Sequence, residues 1–412
     1  MDVIYRRCCG LDVHKDSVSA CVLVAEPPGR RRKELRRFGT MTRDLLELLD
    51  WLLELRVTHA AMESTGVYWK PVWNILEGHV EVLLANAQHI KVVPGRKTDT
   101  QDCEWIADLL QHGLLRGSFV PPEPVRDLRD LTRYRAILSQ ETTDVANRIQ
   151  KVLEDANVKL GSVASDVLGV SGRAMLEAIV EGEQDPTRLA EMARHRLRKK
   201  IPELCVALEG RIRDHHRFLL KQLLDHLKFL ESKISEVERQ VEKCMGPFEK
   251  AVTLWITIPG VDVVTAWSLV AETGADMAQF PSAQHLASWA GLCPGNNESA
   301  GKRKGGKTRK GSLWLRRALS QAAWAASRTK ATYLAARYRR LAARRGAKRA
   351  IIAIAHNILL IAYWLLQTGR PYQDLGADYF DRINAEGLKR YLVRRLERMG
   401  HQVVLTPAPA TP

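Results

Sequence analysis

Apolar and polar residues alternate at the start of the chain and then adopt helical spacing. An apolar run around Leu11, followed by alternation through Val18 and Val24, predicts two adjacent strands joined by a turn near Lys15. Further strands are predicted at residues 36–40, 57–62 and 80–85, and helices at residues 42–55, 67–76 and from Thr98 onward. Three strands followed by alternating helices and strands predict an α/β domain with a mixed sheet over residues 1–122.

Heptad-like spacing replaces this pattern after a proline-rich break at residues 121–124. Apolar positions recur from Leu128 to Ala156 and, more regularly, from Leu220 to Cys244. Two long helices of similar length predict an antiparallel coiled-coil arm over residues 123–250, with a small helical tip at about residues 157–205. Two ordinary bundle helices packed on the core are the alternative interpretation.

The next part of the chain, residues 251–370, is predicted to be a mostly helical domain. The turn Ile258-Pro259-Gly260-Val261 matches the start of a helix-hairpin-helix module, although Pro-Gly marks many other loops. The most apolar stretch, residues 350–366, is short for a membrane span and contains polar residues, which predicts a buried helix and no membrane partner. Residues 371–412 form a charged tail with a predicted helix at residues 379–399.

Positive charge is concentrated between residues 281 and 350. The whole chain carries a formal net charge of +16, and this segment alone has 17 Lys and Arg against one acid, Glu298. The remainder is therefore close to neutral, and the basic segment points to a polyanionic partner, nucleic acid. A solvated surface face is the alternative, but aromatic residues are interleaved with the charges.

Cysteine usage and the N-terminus predict the compartment. The chain has seven cysteines and no C-x-x-C pair, which favours reduced thiols. Its first residues lack the apolar core of a signal peptide. We therefore expect a cytoplasmic, nucleoid-associated protein.

Four acidic residues are positioned for metal chemistry in the predicted α/β domain. Asp12 interrupts an apolar strand, where a charge needs compensation, and Glu63 ends another strand. These strands would be neighbours in an RNase H-like sheet. Asp99 and Asp102 lie three residues apart in the first turn of a predicted helix, hence on one face. Such carboxylates can hold two divalent metals for phosphoryl transfer, although each acid alone is also explained as a turn or helix-cap residue.

Residues 301–308 formally match the phosphate-loop pattern G-x-x-x-x-G-K-[ST]. That motif requires a preceding buried strand, whereas Pro-Gly-Asn-Asn-Glu-Ser precedes it here. Its variable positions are mostly Lys or Arg, as in a segment that follows a phosphate backbone. We therefore predict no nucleotide cofactor.

Four segments in register resemble the DEDD transposases of the insertion-sequence-110 family of bacteria. They are Gly-Leu-Asp-Val-His-Lys at residues 10–15, Met-Glu-Ser-Thr-Gly-Val-Tyr-Trp at residues 62–69, Lys-Thr-Asp-x-x-Asp at residues 97–102, and Pro-Gly-Asn-Asn-Glu-Ser-Ala-Gly-Lys at residues 294–302. The resemblance covers about residues 5–370. It implies an N-terminal RuvC-like (RNase H-like) catalytic domain, a coiled-coil arm and a C-terminal transposase domain that carries a serine nucleophile.

The resemblance also assigns roles to individual residues. Asp12, Glu63, Asp99 and Asp102 match the acidic tetrad, and Ser299 matches the nucleophilic serine. One extra alanine follows this serine, so the loop register departs from the family pattern. The implied cofactor is Mg²⁺ or Mn²⁺ at the tetrad. Basic residues of the loop and the following helix are the predicted nucleic-acid contacts: Lys302, Arg303, Lys304, Lys307, Arg309, Lys310, Arg316 and Arg317.

The function implied is that of a transposase, or site-specific DNA recombinase, guided by a non-coding (bridge) RNA of the element. The implied partners are donor DNA, target DNA, the guide RNA and further copies of the chain in a dimer or tetramer. Guide pairing would supply sequence specificity, so the protein need read only backbone and shape. Two alternatives stay open: a metal-dependent junction resolvase that uses water, and a non-catalytic nucleic-acid-binding protein.

Overall fold

A five-stranded sheet occupies the first part of the computed structural model, which describes residues 2–26, 30–64, 66–85, 99–294, 297–299, 302–305, 308 and 311–406. The elements of this unit, Met1–Pro121, are β1 (Arg7–Val13), β2 (Val18–Glu26), β3 (Arg30–Phe38), α1 (Thr42–Glu54), β4 (His59–Glu63), α2 (Trp69–Leu76), β5 (Glu81–Ala85) and α3 (Asp99–Gln111). The strand order is β3-β2-β1-β4-β5. Strands β1 to β3 pair antiparallel, and β1, β4 and β5 pair parallel, so the predicted mixed sheet is confirmed.

The two faces of the sheet are covered by different helices. Leu11 and Met62 belong to a core that includes residues of α1 and α2. Cys8 and Ala61 face the other way and pack against α3. This alternation explains why the apolar run in β1 is continuous, because both faces of a central strand are buried.

The third strand differs from the predicted residues 36–40. It extends over Arg30–Phe38 and pairs with β2 along its whole length, from Glu26 opposite Arg30 to Val18 opposite Phe38. Five of its nine residues are arginine, which hides the strand period in the sequence. Charged side chains are typical of an edge strand, where they discourage pairing with another chain.

The second unit, Pro122–Pro412, is mostly helical. Its elements are α4 (Glu123–Asp155), α5 (Leu160–Val163), α6 (Val170–Glu181), α7 (Pro186–Glu191), α8 (Ile201–Leu208), α9 (Asp214–Met245), α10 (Glu249–Ile256), α11 (Val263–Thr273), α12 (Ala283–Trp289), β6 (Asn297–Ser299), β7 (Lys302–Gly305), α13 (Leu313–Arg328), α14 (Tyr333–Arg345), α15 (Ala347–Thr368), α16 (Tyr379–Ile383) and α17 (Ala385–Glu397).

The long helices α4 and α9 lie side by side in opposite directions. Arg135 pairs with Glu238, and Asp155 at the end of α4 accepts a hydrogen bond from His216 near the start of α9, both at 2.8 Å. Buried leucines of both helices and the short helices α5 to α8 form one core cluster. The coiled-coil assignment itself stays a prediction.

The last helices pack around α15. By length and composition α15 is the one described helix able to cross a membrane, but half of its most apolar window is buried inside the protein. It contacts α10, α12, α13 and α14. The stretch predicted as a buried helix is therefore a core helix of this unit.

Two local features of this unit concern the Pro-Gly turn and the helix predicted near the end of the chain. Gly260 has a positive φ of 89°, and a Cβ there would lie 2.3 Å from the backbone N of Ala326 in α13. The Pro-Gly turn thus packs against α13, and its helix-hairpin-helix assignment stays a prediction. The single helix predicted over residues 379–399 is interrupted at Asn384, whose backbone dihedrals are not helical.

Candidate active site

Asp12 and Glu63 lie at the carboxyl ends of two neighbouring parallel strands, Asp12 one residue before the end of β1 and Glu63 as the last residue of β4. Leu11 in β1 is level with Met62 in β4, so each acid is the next residue on its strand. Side chains alternate along a strand, and Leu11 and Met62 face α1 and α2, so both acids project from the opposite face, where α3 lies. Adjacent strands are about 4.8 Å apart, and the structure therefore brings these two carboxylates to one edge of the sheet.

Helix α3 reaches the same edge because Gly10 has no side chain. A Cβ at Gly10 would lie 2.2 Å from the backbone O of Cys103 and 2.3 Å from a backbone N one turn further along α3. The first turn of α3 carries Asp99 and Asp102, three residues apart on one face. Asp102 is half-buried, and the side chain of Asp99 lies outside the described residues.

An open cleft of ≈ 390 Å³ adjoins Asp12. His14 Nε2 lies 3.0 Å from Asp12 Oδ2. Asp12 is level with Ser19 in β2, which is level with Arg37 in β3, so a carboxylate and a guanidinium line the same cleft. Burial raises the pKa of the Cys103 thiol in this cleft to about 11, and the negative charge of Asp12 adds to that shift.

Arg37 is a candidate phosphate contact that the sequence analysis missed. It lies in the arginine-rich strand that was assigned too short, and its guanidinium donates to Ser17 Oγ at 2.9 Å. Correct pairing of β3 with β2 would have pointed to it, because the register puts Arg37 on the row of Asp12.

Other acids of α3 are engaged in ion pairs with β3. Glu104 lies 3.0 Å from Lys33 Nζ, and Asp108 lies 2.8 Å from Arg31. These pairs tie the outer side of α3 to the edge strand. They distinguish Glu104 and Asp108 from Asp102, which lies in the first turn of α3.

Ser299 belongs to the second unit, in a short hairpin. Strands β6 and β7 pair antiparallel with Ser299 opposite Lys302. A bridge between Pro294 and Thr308 joins the two arms of the loop further down. Among the predicted basic contacts, Lys302, Arg303 and Lys304 lie on β7 with side chains that are not described, and Lys307, Arg309 and Lys310 lie outside the described residues.

Helix α13 begins directly after this loop, and the two remaining predicted contacts lie in it. Arg316 donates to Thr308 Oγ1 at 3.2 Å, and Arg317 donates to Gln140 Oε1 at 3.0 Å. Both are half-buried. In this structure they fasten the loop and α4 to α13.

The base of the serine hairpin is held by a buried polar cluster. Glu272 in α11 has a side chain only 3% exposed, and both of its oxygens accept from Arg133 of α4, at 2.7 and 3.0 Å. Ser312 donates to the same carboxylate at 2.9 Å and accepts from the backbone N–H of Leu315, so it caps α13. The sequence analysis missed this cluster because its members lie far apart in the chain.

Close backbone packing holds the other side of the hairpin base. A Cβ at Gly311 would lie 2.4 Å from the backbone O of Ala290. The loop therefore leaves and re-enters the helical core at one point.

Asp155, His215 and His216 form a different group of side chains able to hold a metal, at the joint of α4 and α9. His216 Nδ1 accepts from the backbone N–H of Arg213, and its Nε2 lies 2.8 Å from Asp155 Oδ2. Since Nδ1 accepts, Nε2 carries the proton and is not available as a metal ligand. This group is a helix cap linked to a carboxylate.

Comparison with known proteins identifies the family of this chain. A transposase family profile of DEDD type for IS110 matches residues 9–158, and a profile described as "Transposase IS116/IS110/IS902 family" matches residues 253–339. The chain is similar to a "Probable family 20 transposase" of Pseudomonas aeruginosa, with 26% identity over 79% of this chain and 89% of the relative.

Two further relatives come from Streptomyces. The "Insertion element IS110 uncharacterized 43.6 kDa protein" of Streptomyces coelicolor is 27% identical over 70% of this chain and 76% of its own length. The corresponding protein of insertion element IS116 from Streptomyces clavuligerus is 27% identical over 54% of this chain and 62% of its own length. With both family profiles matched in order along the chain, the protein belongs to the IS110 family of insertion-sequence transposases.

Proposed function

We propose that this transposase cuts and rejoins DNA strands through Ser299, assisted by divalent metal held at Asp12, Glu63, Asp99 and Asp102. The observation that carries the proposal is the meeting of Asp12, Glu63 and the first turn of α3 at one edge of the sheet. These acids come from three separate elements. Such a convergence is not needed if each acid only caps a helix or begins a turn. This favours an enzyme over a non-catalytic binding protein.

The end of the sheet that carries Asp12 and Glu63, here called the acidic edge, fits a hard divalent cation. Its donors are carboxylate oxygens, which suit Mg²⁺ and Mn²⁺, and the cleft beside Asp12 leaves room for a phosphate. When bound, such a metal polarises the scissile phosphate and stabilises charge on the leaving oxygen. Arg37 on the same row would hold a non-bridging phosphate oxygen, and His14 would orient the carboxylate of Asp12.

Ser299 supplies the nucleophile in this proposal. Its hydroxyl releases a proton to solvent as Oγ forms a bond to the DNA phosphorus, one backbone P–O bond breaks, and the leaving DNA oxygen takes up a proton from solvent. A hydroxyl of the second DNA strand later attacks the phosphoserine and releases Ser299. Phosphodiester energy is conserved, so no nucleotide is consumed. Lys302, opposite Ser299 in the hairpin, supports the neutralisation of charge at this phosphate.

We further propose that a guide RNA selects donor and target DNA. We also propose that the chain is divided, as given above, into a RuvC-like domain, a coiled-coil arm, a serine-bearing domain and a tail. The concentration of positive charge in residues 281–350 supports backbone binding of this kind. Recombination of two duplexes calls for two or more copies of the chain, with the acids and Ser299 combined in a composite site.

The test is cleavage of matched donor and target DNA with the element's flanking RNA and Mg²⁺, read on a denaturing gel that separates protein-linked DNA from free ends. Ser299→Ala and Asp102→Asn should each abolish the protein–DNA adduct. Asp108→Asn, on the same helix but paired with Arg31, is the matched control and should retain it. Free-ended cleavage that survives Ser299→Ala but not Asp102→Asn would replace this proposal with a water-using resolvase.

A further inference from the structure

A groove of ≈ 510 Å³ opens between α14, α15 and the base of the serine hairpin. Its floor is apolar and consists of Leu292, Leu341, Ile352 and Ala353. Thr308 and Pro294, which bridge the two arms of the loop, form one wall. The groove therefore lies directly beside the loop that carries Ser299.

Four cationic side chains line this groove: Arg337, Arg345, Lys348 and Arg349. The last three are exposed, and within the described part of the chain no acid forms a salt bridge with any of the four. Gly346, at a φ of 80°, ends α14 and starts α15, so the last turn of one helix and the first turn of the next present their charges together. A groove with this rim attracts a polyanion.

Arg337 lines this groove, is half-buried, and has one donor without a partner. Its terminal nitrogen donates to the Tyr333 hydroxyl at 2.6 Å, whereas its buried Nε has no hydrogen-bond partner. A buried donor without a partner costs free energy unless a ligand satisfies it. Two groups able to read a base edge, His356 and Asn357, lie in the same groove. Burial lowers the pKa of His356, a hydrogen bond with Asn357 opposes that shift, and the charge of Arg337 adds to it. The neutral imidazole and the amide of Asn357 thus form a hydrogen-bonded pair whose remaining donors and acceptors can meet a base edge.

We propose that this groove binds an unstacked nucleotide of a single-stranded nucleic-acid segment next to the serine hairpin. The phosphates lie against Arg345, Lys348 and Arg349, and the base lies on the apolar floor. Apolar pockets rimmed by phosphate contacts are how proteins hold bases that have left the stack. A neutral apolar ligand would leave four cations without counter-charge. The proposal rests on the nucleic-acid function above and identifies where an unpaired nucleotide is held.

The experiment is a binding titration in EDTA with Ser299→Ala protein, so that neither metal nor cleavage contributes. The probes are short single-stranded DNA and RNA oligonucleotides that carry one 2-aminopurine, whose fluorescence increases when the base leaves the stack, and matched oligonucleotides with an abasic position. Arg345→Glu should weaken binding roughly tenfold and reduce the salt dependence. Arg339→Glu, the same charge reversal on α14 outside the groove lining, is the control and should have a much smaller effect.

Ala353→Phe tests the base-binding floor without a change in charge, because Ala353 is half-exposed in the groove. It should abolish the fluorescence increase and leave thermal unfolding unchanged. Comparison of the DNA and RNA oligonucleotides identifies which of the two nucleic acids occupies the groove. Equal losses for Arg345→Glu and Arg339→Glu, or equal binding of abasic and intact oligonucleotides, would overturn the proposal. Since this assay needs neither Ser299 nor metal, its failure leaves the adduct test above unaffected. Failure of the adduct test likewise leaves the binding result of this assay unaffected.

Discussion

Replacement of Gly10 by alanine is the sharpest probe of how α3 is brought to the acidic edge. The added Cβ would lie 2.2 Å from the backbone O of Cys103, whereas real Cβ contacts essentially never fall below 3.0 Å. The atoms in the way belong to the backbone of a helix, so a side-chain rotation cannot relieve the clash. The helix must move from the sheet by about 0.8 Å.

The cost follows from the size of that movement. Overpacking of a tight interface by one methyl group costs about 1–3 kcal/mol of unfolding free energy. Displacement of catalytic groups by about 1 Å reduces turnover by up to about a hundredfold. Because Asp99 and Asp102 move with α3 while Asp12 and Glu63 stay on the sheet, we expect activity to fall far more than stability alone explains.

The assay measures adduct formation against Mg²⁺ or Mn²⁺ concentration, together with urea unfolding of the same protein. Gly246→Ala is the control, because a Cβ at Gly246 meets nothing within 4 Å and its φ of −44° suits any residue. It should be neutral or slightly stabilising. Normal adduct formation by Gly10→Ala, with unchanged metal dependence, would refute the role given to this contact and to α3 in the site.

Two further outcomes are expected. Glu272→Gln removes the charge of a buried carboxylate and leaves the half-buried Arg133 guanidinium without its counter-charge, which should cost about 3 kcal/mol in urea unfolding. A change below about 0.5 kcal/mol would mean that the cluster does not hold the hairpin base. With a thiol pKa of about 11, Cys103 has roughly one thiolate per thousand at pH 8. Maleimide at that pH should therefore label the half-buried Cys244 and leave Cys103 unmodified until the protein unfolds. Peptide mass spectrometry measures the labelling of each cysteine. Equal labelling of both in the folded protein would contradict the burial of Cys103.

The sequence pattern was sufficient where side-chain periodicity reflects burial. The apolar run of β1, the alternation in β2 and the helical spacing of α1 predicted those elements. The neighbouring positions of β1 and β4 were expected from an RNase H-like sheet and not from periodicity. The arginines of β3 conceal its period, since an edge strand exposes its side chains and pairs through its backbone.

Long-range contacts could not be predicted from one sequence. In the sequence, Gly10 is an ordinary strand glycine, and only the structure shows that α3 packs against it. Glu272 is likewise an ordinary helix residue in the sequence, and only the structure shows its contacts with Arg133 and Ser312. The groove is hidden for the same reason, because its cations in α14 and α15 are recognisable as a charge run but not as one rim. The packing of Gly260 on α13 is another such contact, and the helix-hairpin-helix assignment of its turn stays a prediction.

The acids and the serine depend on different kinds of support. The acids are carried by a five-stranded sheet and a helix in backbone contact with it, which are rigid elements. Ser299 is carried by two strands of three and four residues, and a lone two-stranded hairpin is marginally stable. Its geometry therefore depends on its base, where Gly311 packs on the helical core and Ser312 joins Glu272. A nucleic-acid strand bound in the adjoining groove would contact Pro294 and Thr308, whose bridge joins the two arms of the loop, so groove and hairpin support share this bridge.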